Sequence, residues 1–325
     1  VIDKGNKIEI VGKAREGTAK IMMVTTDIAK AVKGVELINI VMPAYGHENW
    51  FKHLMPVLEN GQIICMHPGN YGSLRFKNMM NNSGFKKKVI IGDSSTLVYT
   101  CRKFGPAQVR VNGFKQNVGA AALPAKDTPK LITALEMVIP GHFVPAKNVL
   151  EIGLENVNPQ FHTPIMVLNA GRIEDTKGEF LFYIEGATPT VSSIVQKLSD
   201  EKIAIGRKLG FEITDPKDSL RKMYGAYGKN MWECFQNTEP YHDRVCESAP
   251  SDLKHRYLSE DTPYGLVPIS SLGKQLKVPT PVTDLFIEMS SLLNEADFKK
   301  TGLTTEKLGL AGLSEKEIVK KVTDG

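Results

Sequence analysis

The sequence predicts an α/β protein in two parts: a doubly wound, mostly parallel sheet over residues 1–150 and an all-α region over residues 151–325. Three observations predict it. Short Val- and Ile-rich runs alternate with helical patterns from Lys7 to about Leu150, and such alternation implies parallel strands with helices on both faces. Beyond Glu151 the β-branched runs stop and apolar residues recur at helical spacing. At 325 residues the chain is also long for a single core, so two domains are the default.

In chain order, IEIV (residues 8–11), AKIMMVTT (19–26), VELINIVMP (35–43), QIICMHP (62–68), KKVIIG (87–92) and AQVRVNG (107–113) read as strands. Helices are expected between several of them, over residues 27–33 with Asp27 as cap, 48–59, 73–81, and 127–138 with Pro129 in the first turn. In the second part the best single helix spans residues 188–209, with Thr188 as N-cap, Pro189 at the first helical position and Gly210 as the stop. Shorter helices follow over 217–224, 230–236, 266–276, 283–293 and 314–322.

Composition narrows the function classes. Hydrophobic content of 42% and charged content of 24% exclude fibrous and disordered chains. A net charge of +5 is mild for this length, and Lys86, Lys87 and Lys88 form the only triple run, read as a solvated turn before a strand. Nucleic-acid binding is not expected, because no basic stripe with interleaved aromatics is present. A membrane span is not expected either, since no apolar run approaches roughly 20 residues. The four cysteines, Cys65, Cys101, Cys234 and Cys246, form no CxxC pair. That pattern points to reduced thiols, no metal site and a cytoplasmic protein.

Ligands of a doubly wound sheet bind at the carboxyl ends of its strands. Two strands here end in MPAYG and MHPGN, so Pro43, Ala44, Tyr45, Pro68, Gly69 and Asn70 are expected to wall a dinucleotide crevice. His47 and His67, close by, are read as ordinary loop residues. The glycine-rich G-x-G-x-x-G turn that usually cradles a pyrophosphate has no match in the chain. Either the domain binds no dinucleotide, or that segment lies upstream of residue 1; the chain opens on Val1 rather than Met, which favours the second expectation.

The most chemical stretch is ENVNPQFHTPIMVLNAGRIE, residues 155–174, read with HRYLSED, residues 255–261. It sets His162 between two prolines in an apolar segment, and far along the chain it supplies Arg256 and Asp261. An imidazole oriented by a carboxylate exchanges protons near neutral pH, and a guanidinium grips a carboxylate with two prongs. Plainer readings stand beside these. His162 could be a satisfied core residue, Asp261 a turn residue before Thr262-Pro263, and Arg256 the partner of Glu260 one helical turn on. Asn158, Asn169 and Arg172 flank His162; Asn169, seven residues on, shares its face if the stretch is helical.

These blocks, with VMPAYGHENWF, TLVYTCRKFGP and the closing LGLAGLSEKEI, resemble the opine dehydrogenases, the octopine and nopaline dehydrogenase family. The resemblance runs through nearly the whole chain. It implies a Rossmann domain followed by a helical substrate domain. It also implies an NAD(H)- or NADP(H)-dependent enzyme that joins the amine of an amino acid to a 2-oxo acid and reduces the imine. By residue, it implies His162 and Asp261 as the catalytic pair, Arg256 on the carboxylate of the 2-oxo acid, and Cys101 near the substrate cleft. Asn169, from its spacing alone, is expected either to line that cleft as a substrate-binding residue or to be a buried asparagine bonded to backbone. Two other readings stay open: a related 2-hydroxy- or keto-acid reductase acting without an amine, and a catalytically silent module that binds small acids. Oligomeric state is left open.

Overall fold

The computed structural model describes residues 1–245 and 247–325; Cys246 lies outside them. Nine strands among these residues, β1 (Lys7–Val11), β2 (Gly17–Lys20), β3 (Leu37–Ile40), β4 (Ile63–Met66), β5 (Ile90–Ser94), β6 (Tyr99–Gly105), β7 (Gln108–Phe114), β8 (Val118–Leu123) and β9 (Phe143–Pro145), form two sheets. The larger has the order β3-β4-β5-β8-β9. In it β3, β4 and β5 are parallel, β8 runs antiparallel to β5, and β9 is parallel to β8. The smaller has the order β2-β1-β7-β6 and is antiparallel except for the β1–β7 pair.

Burial explains the division. The inner strands β4 and β5 are almost wholly buried, as continuous apolar runs of parallel sheets must be. By contrast β2 is exposed throughout and β1 is only half covered. The second expected strand stops at Lys20, leaving Met22 and Met23 exposed.

Helices α1 (Ile28–Val32), α2 (Ala44–Leu54), α3 (Gly72–Ser83) and α4 (Thr128–Val138) accompany the strands. The first carries the expected cap, the Asp27 carboxylate accepting from Lys30 N–H at 3.2 Å. Helix α2 begins four residues earlier than the sequence suggested, because the chain passes directly from Pro43 at the cap into helical turns. After β9 every regular element named is helical: α5 (Val149–Glu155), α6 (Asn158–Leu168), α7 (Ala170–Thr176), α8 (Pro189–Lys208), α9 (Pro216–Tyr224), α10 (Met231–Gln236), α11 (Arg256–Ser259), α12 (Val267–Leu276), α13 (Pro281–Asn294), α14 (Phe298–Thr301) and α15 (Glu315–Asp324). Thr188 caps α8 through Val191 N–H, and Ser314 with Glu317 forms a capping box on α15.

Three buried clusters hold these layers together. One joins β4, β5, α2 and α3 to α5, the carboxyl-terminal ends of α8 and α12, and α15. The second lies wholly among the helices, around Phe161, Ile165, Val195 and Phe286. A third, with Leu131 and Leu135 of α4, covers the other face of the sheet. The first cluster binds the helical half to the strand-bearing half, so the ends of β3 and β4 face α6 and α11 across a fixed cleft.

Candidate active site

Helix α6 carries His162 and is buried nearly all round, from Pro159 to Val167. Its start is set by Asn156, whose Oδ1 accepts from Asn158 N–H at 3.0 Å. The other segment of the site is helix α11, capped by His255, with Arg256 at its first position. After Glu260 the helix widens into a π-helical turn, Thr262–Leu266, with Asp261 at its head. The two segments are held in register where Gly265 meets Pro159. A Cβ on Gly265 would lie 2.1 Å from Pro159 Cγ, so only glycine permits this approach.

The arrangement brings His162 and Asp261 together, Nδ1 to Oδ2 at 2.6 Å, with both residues only 4% exposed. His162 Nε2 meets the Tyr183 hydroxyl, also at 2.6 Å. The ring of Tyr257 stacks on the imidazole, with centroids 3.7 Å apart and planes 17° off parallel. Burial pulls His162 well below its usual value, and the positive charges of Arg256, Arg102 and Lys115 add to this. The same burial lifts Asp261 up to about 7, opposed by Arg256. Charge is disfavoured on either partner, so the pair gains and loses its proton as a unit. In its deprotonated state Nδ1–H donates to the carboxylate and Nε2 accepts from the Tyr183 hydroxyl.

His162 opens on a cavity of about 230 Å³ between the two halves, and Arg256, Cys101 and Asn158 also line it. The Arg256 guanidinium is partly exposed there and pairs with Glu260 at 3.1 Å, so the plainer reading of that pair also holds. Unlike a surface pair, its Glu260 carboxylate is 2% exposed and accepts from Ala44 N–H at 2.9 Å. Cys101 is aimed by a bulge between Thr100 and Cys101 where β6 pairs with β7. Burial pushes its thiol up, so it rests as the neutral thiol.

Two expected neighbours are elsewhere. Helix α6 ends at Leu168, and Asn169 turns its amide to the Ile165 and Gly186 carbonyls, away from the cavity. Arg172 stacks on Phe180 and pairs with Glu185. The strand-end residues divide in the same way. Pro43 and Pro68 line the cavity, with His67 fixed between Asn39 and Ser94. Ala44, Gly69 and Asn70 stand behind them: Ala44 and Asn70 hold the Glu260 carboxylate, and Gly69 packs on Asp93. Tyr45 is 56% exposed and does not line the cavity. His47 is buried within α2 rather than on a loop.

Tyr183, Tyr257, Arg102, Lys115, Glu247 and Glu260 are among the other residues that line the cavity. None was singled out from the sequence as a site residue, although Arg102, Tyr257 and Glu260 adjoin Cys101, Arg256 and Asp261 inside the blocks already quoted; Lys115, Tyr183 and Glu247 come from segments with no motif around them.

Val41, Met42, Pro43, His67 and Pro68 make a largely apolar wall at the ends of β3 and β4 facing His162, which suits a flat nicotinamide ring. The chain supplies no glycine-rich turn for the diphosphate. Among the described residues no cluster of three or more His, Cys, Asp or Glu could hold a metal ion, and no helix is long and apolar enough to cross a membrane.

A strand-end wall facing a buried His–Asp pair across a cleft suits a dehydrogenase built from a nucleotide-type sheet and a helical partner. Residues 145–294 match the family profile described as NAD/NADP octopine/nopaline dehydrogenase, alpha-helical domain. The chain is 36% identical over 304 residues to an opine dehydrogenase of Arthrobacter sp. strain 1C, covering 93% of this chain and 83% of that one. It is 26% identical to a vitopine synthase of Allorhizobium ampelinum, covering 96% and 84%. Its fold matches octopine dehydrogenase solved with NADH and L-arginine, with a TM-score of 0.73 at 17% identity over 98% of this chain and 87% of that one. The chain belongs to the opine dehydrogenase family. Its cofactor is NAD(H) or NADP(H), and its reaction is the nicotinamide-dependent reductive condensation of an amino acid with a 2-oxo acid.

Proposed function

We propose that the condensation proceeds through a C=N bond reduced to CH–NH in the cavity beside His162, with the His162–Asp261 pair moving the protons. The observation that carries this is the 2.6 Å contact between two buried, sequence-distant groups at the cavity wall. The nicotinamide supplies the hydride when bound. His162 Nε2, released from Tyr183, takes a proton from the substrate ammonium and leaves a neutral amine to attack the keto carbon. The imidazolium returns that proton to the oxygen to give the carbinolamine; the imidazole then takes a second proton from the nitrogen and passes it to the hydroxyl, which departs as water and leaves the protonated C=N bond. Asp261 balances the transient charge, and the Tyr257 face beneath the ring favours it as well.

Arg256 holds the carboxylate of the 2-oxo acid, with Glu260 fixing the guanidinium from behind. Cys101, protonated and half-buried, contributes shape and a weak donor. Pro43 and Pro68 bound the nicotinamide face, with Ala44, Gly69 and Asn70 as their support.

The test is NAD(P)H oxidation with each substrate omitted in turn. Turnover is expected only with both an amino acid and a 2-oxo acid, and His162→Ala is expected to abolish it while circular dichroism is unchanged. Turnover that survives omission of the amine would replace this reading with a keto-acid reductase.

A further inference from the structure

Condensation requires two acids in one cavity at the same time, each carrying a carboxylate, with the amine of one against the carbonyl of the other. Arg256 can grip only one of them. The cavity wall carries two more cations, Arg102 on β6 and Lys115 just after β7. We infer that Lys115, with Arg102 beside it, is the subsite for the α-carboxylate of the amino acid, separate from the Arg256 grip on the 2-oxo acid. This deepens the proposed reaction and rests on it.

Charge counting supports the division. The cavity wall holds three cations, Arg102, Lys115 and Arg256, and two glutamates, Glu247 and Glu260. Glu260 is already engaged by Arg256, Ala44 N–H and Asn70. Glu247 therefore serves both Arg102 and Lys115, which are the two positive charges acting most strongly on it. Lys115 thus shares its carboxylate with Arg102 rather than holding one of its own.

Hydrogen bonding points the same way. An ammonium has three donors, and Lys115 uses one, on Thr96 Oγ1 at 2.7 Å. Among the described residues no second acceptor is bonded to it. Burial pulls it down to about 8, although Glu247 and Cys101 oppose the shift. This is what shortage of counter-charge does to a desolvated lysine. Arg102 donates to the Tyr257 hydroxyl at 2.7 Å, and the Tyr257 ring lies on His162. An acid held by this pair would therefore keep its α-amine within the span of the imidazole.

Lys115→Met removes the ammonium, leaving the Thr96 hydroxyl without its donor and Glu247 with Arg102 as its cation. With both substrates varied, KM for the amino acid is expected to rise on the order of 10- to 100-fold, the value of one charge-assisted hydrogen bond. KM for the 2-oxo acid should stay within about twofold of wild type on that assignment, and Lys115→Arg should restore part of the loss. Wild type should also discriminate against the carboxamide of its amino acid, and Lys115→Met should lose that discrimination. A folded Lys115→Met with unchanged amino acid KM overturns the assignment, and so does a rise confined to the 2-oxo acid. If instead wild type needs no amine, the underlying reaction is wrong. Calorimetric titration of wild type and Lys115→Met with the amino acid and its amide then decides the subsite alone, and equal affinity for acid and amide overturns it.

Discussion

His162 has no idle nitrogen. Asp261 holds Nδ1 and Tyr183 holds Nε2, so the ring's orientation is fixed before any substrate arrives, and an ionised Asp261 selects the tautomer with its proton on Nδ1. Asp261→Asn should therefore cost more than a charge, because an amide can present a donor to Nδ1 and reverse the tautomer. A fall in kcat of about 10² to 10⁴ is expected, with the melting transition moved only slightly. Tyr183→Phe acts differently. The phenol stabilises the neutral ring by donating to it, so its loss favours the imidazolium. The acid limb of the kcat/KM profile should then move to higher pH; a limb unmoved or moved lower would remove Tyr183 from the site.

The elements that carry the site depend on one close approach, Gly265 against Pro159. Gly265→Ala must push the π-helical turn away from α6, and with it Asp261 from His162. A loss of stability of about 1–3 kcal/mol, read from urea midpoints, should come with a fall in kcat larger than any change in KM. The sequence could not show this. Helix α6 is apolar on every side and contains Pro164, so it has no amphipathic period to detect. Strand β8, VGAAAL, was missed because its alanines carry no β-branched signal, yet it sits in the middle of the larger sheet. Where a helix has one wet face and a cap, as α8 and α15 do, the sequence placed it within a residue or two. His162, Asp261 and Arg256 were legible because long blocks resembled a family; the tyrosines and Lys115 gather only in three dimensions.

At the scale of the molecule, the two halves are joined by buried polar groups as well as apolar ones. Asn156 donates to Asn70 across the junction at 2.7 Å, and Lys202 of α8, 2% exposed, donates to Asn156 O and Gln160 Oε1. Burial pulls Lys202 from its ordinary 10.5 to about 8. Between those values the unfolded chain binds more protons than the folded one, so the free energy of unfolding rises with pH. Lys115 adds to the slope in the same sense. Lys202→Met should flatten the rise between about pH 8 and 10, by up to about 3 kcal/mol at about 1.4 kcal/mol per unit, as read from denaturant midpoints at stepped pH. An equal slope in variant and wild type would mean that the lysine is solvated.

The stack of Tyr257 on His162 has a spectroscopic consequence. A proton held over the face of a phenol ring is shielded by its circulating electrons, so the carbon-bound imidazole protons of His162 should resonate upfield of those of the six other histidines. That displaced signal makes the His162 ring its own probe, and proton uptake at the cavity wall could be followed at a single atom without any label.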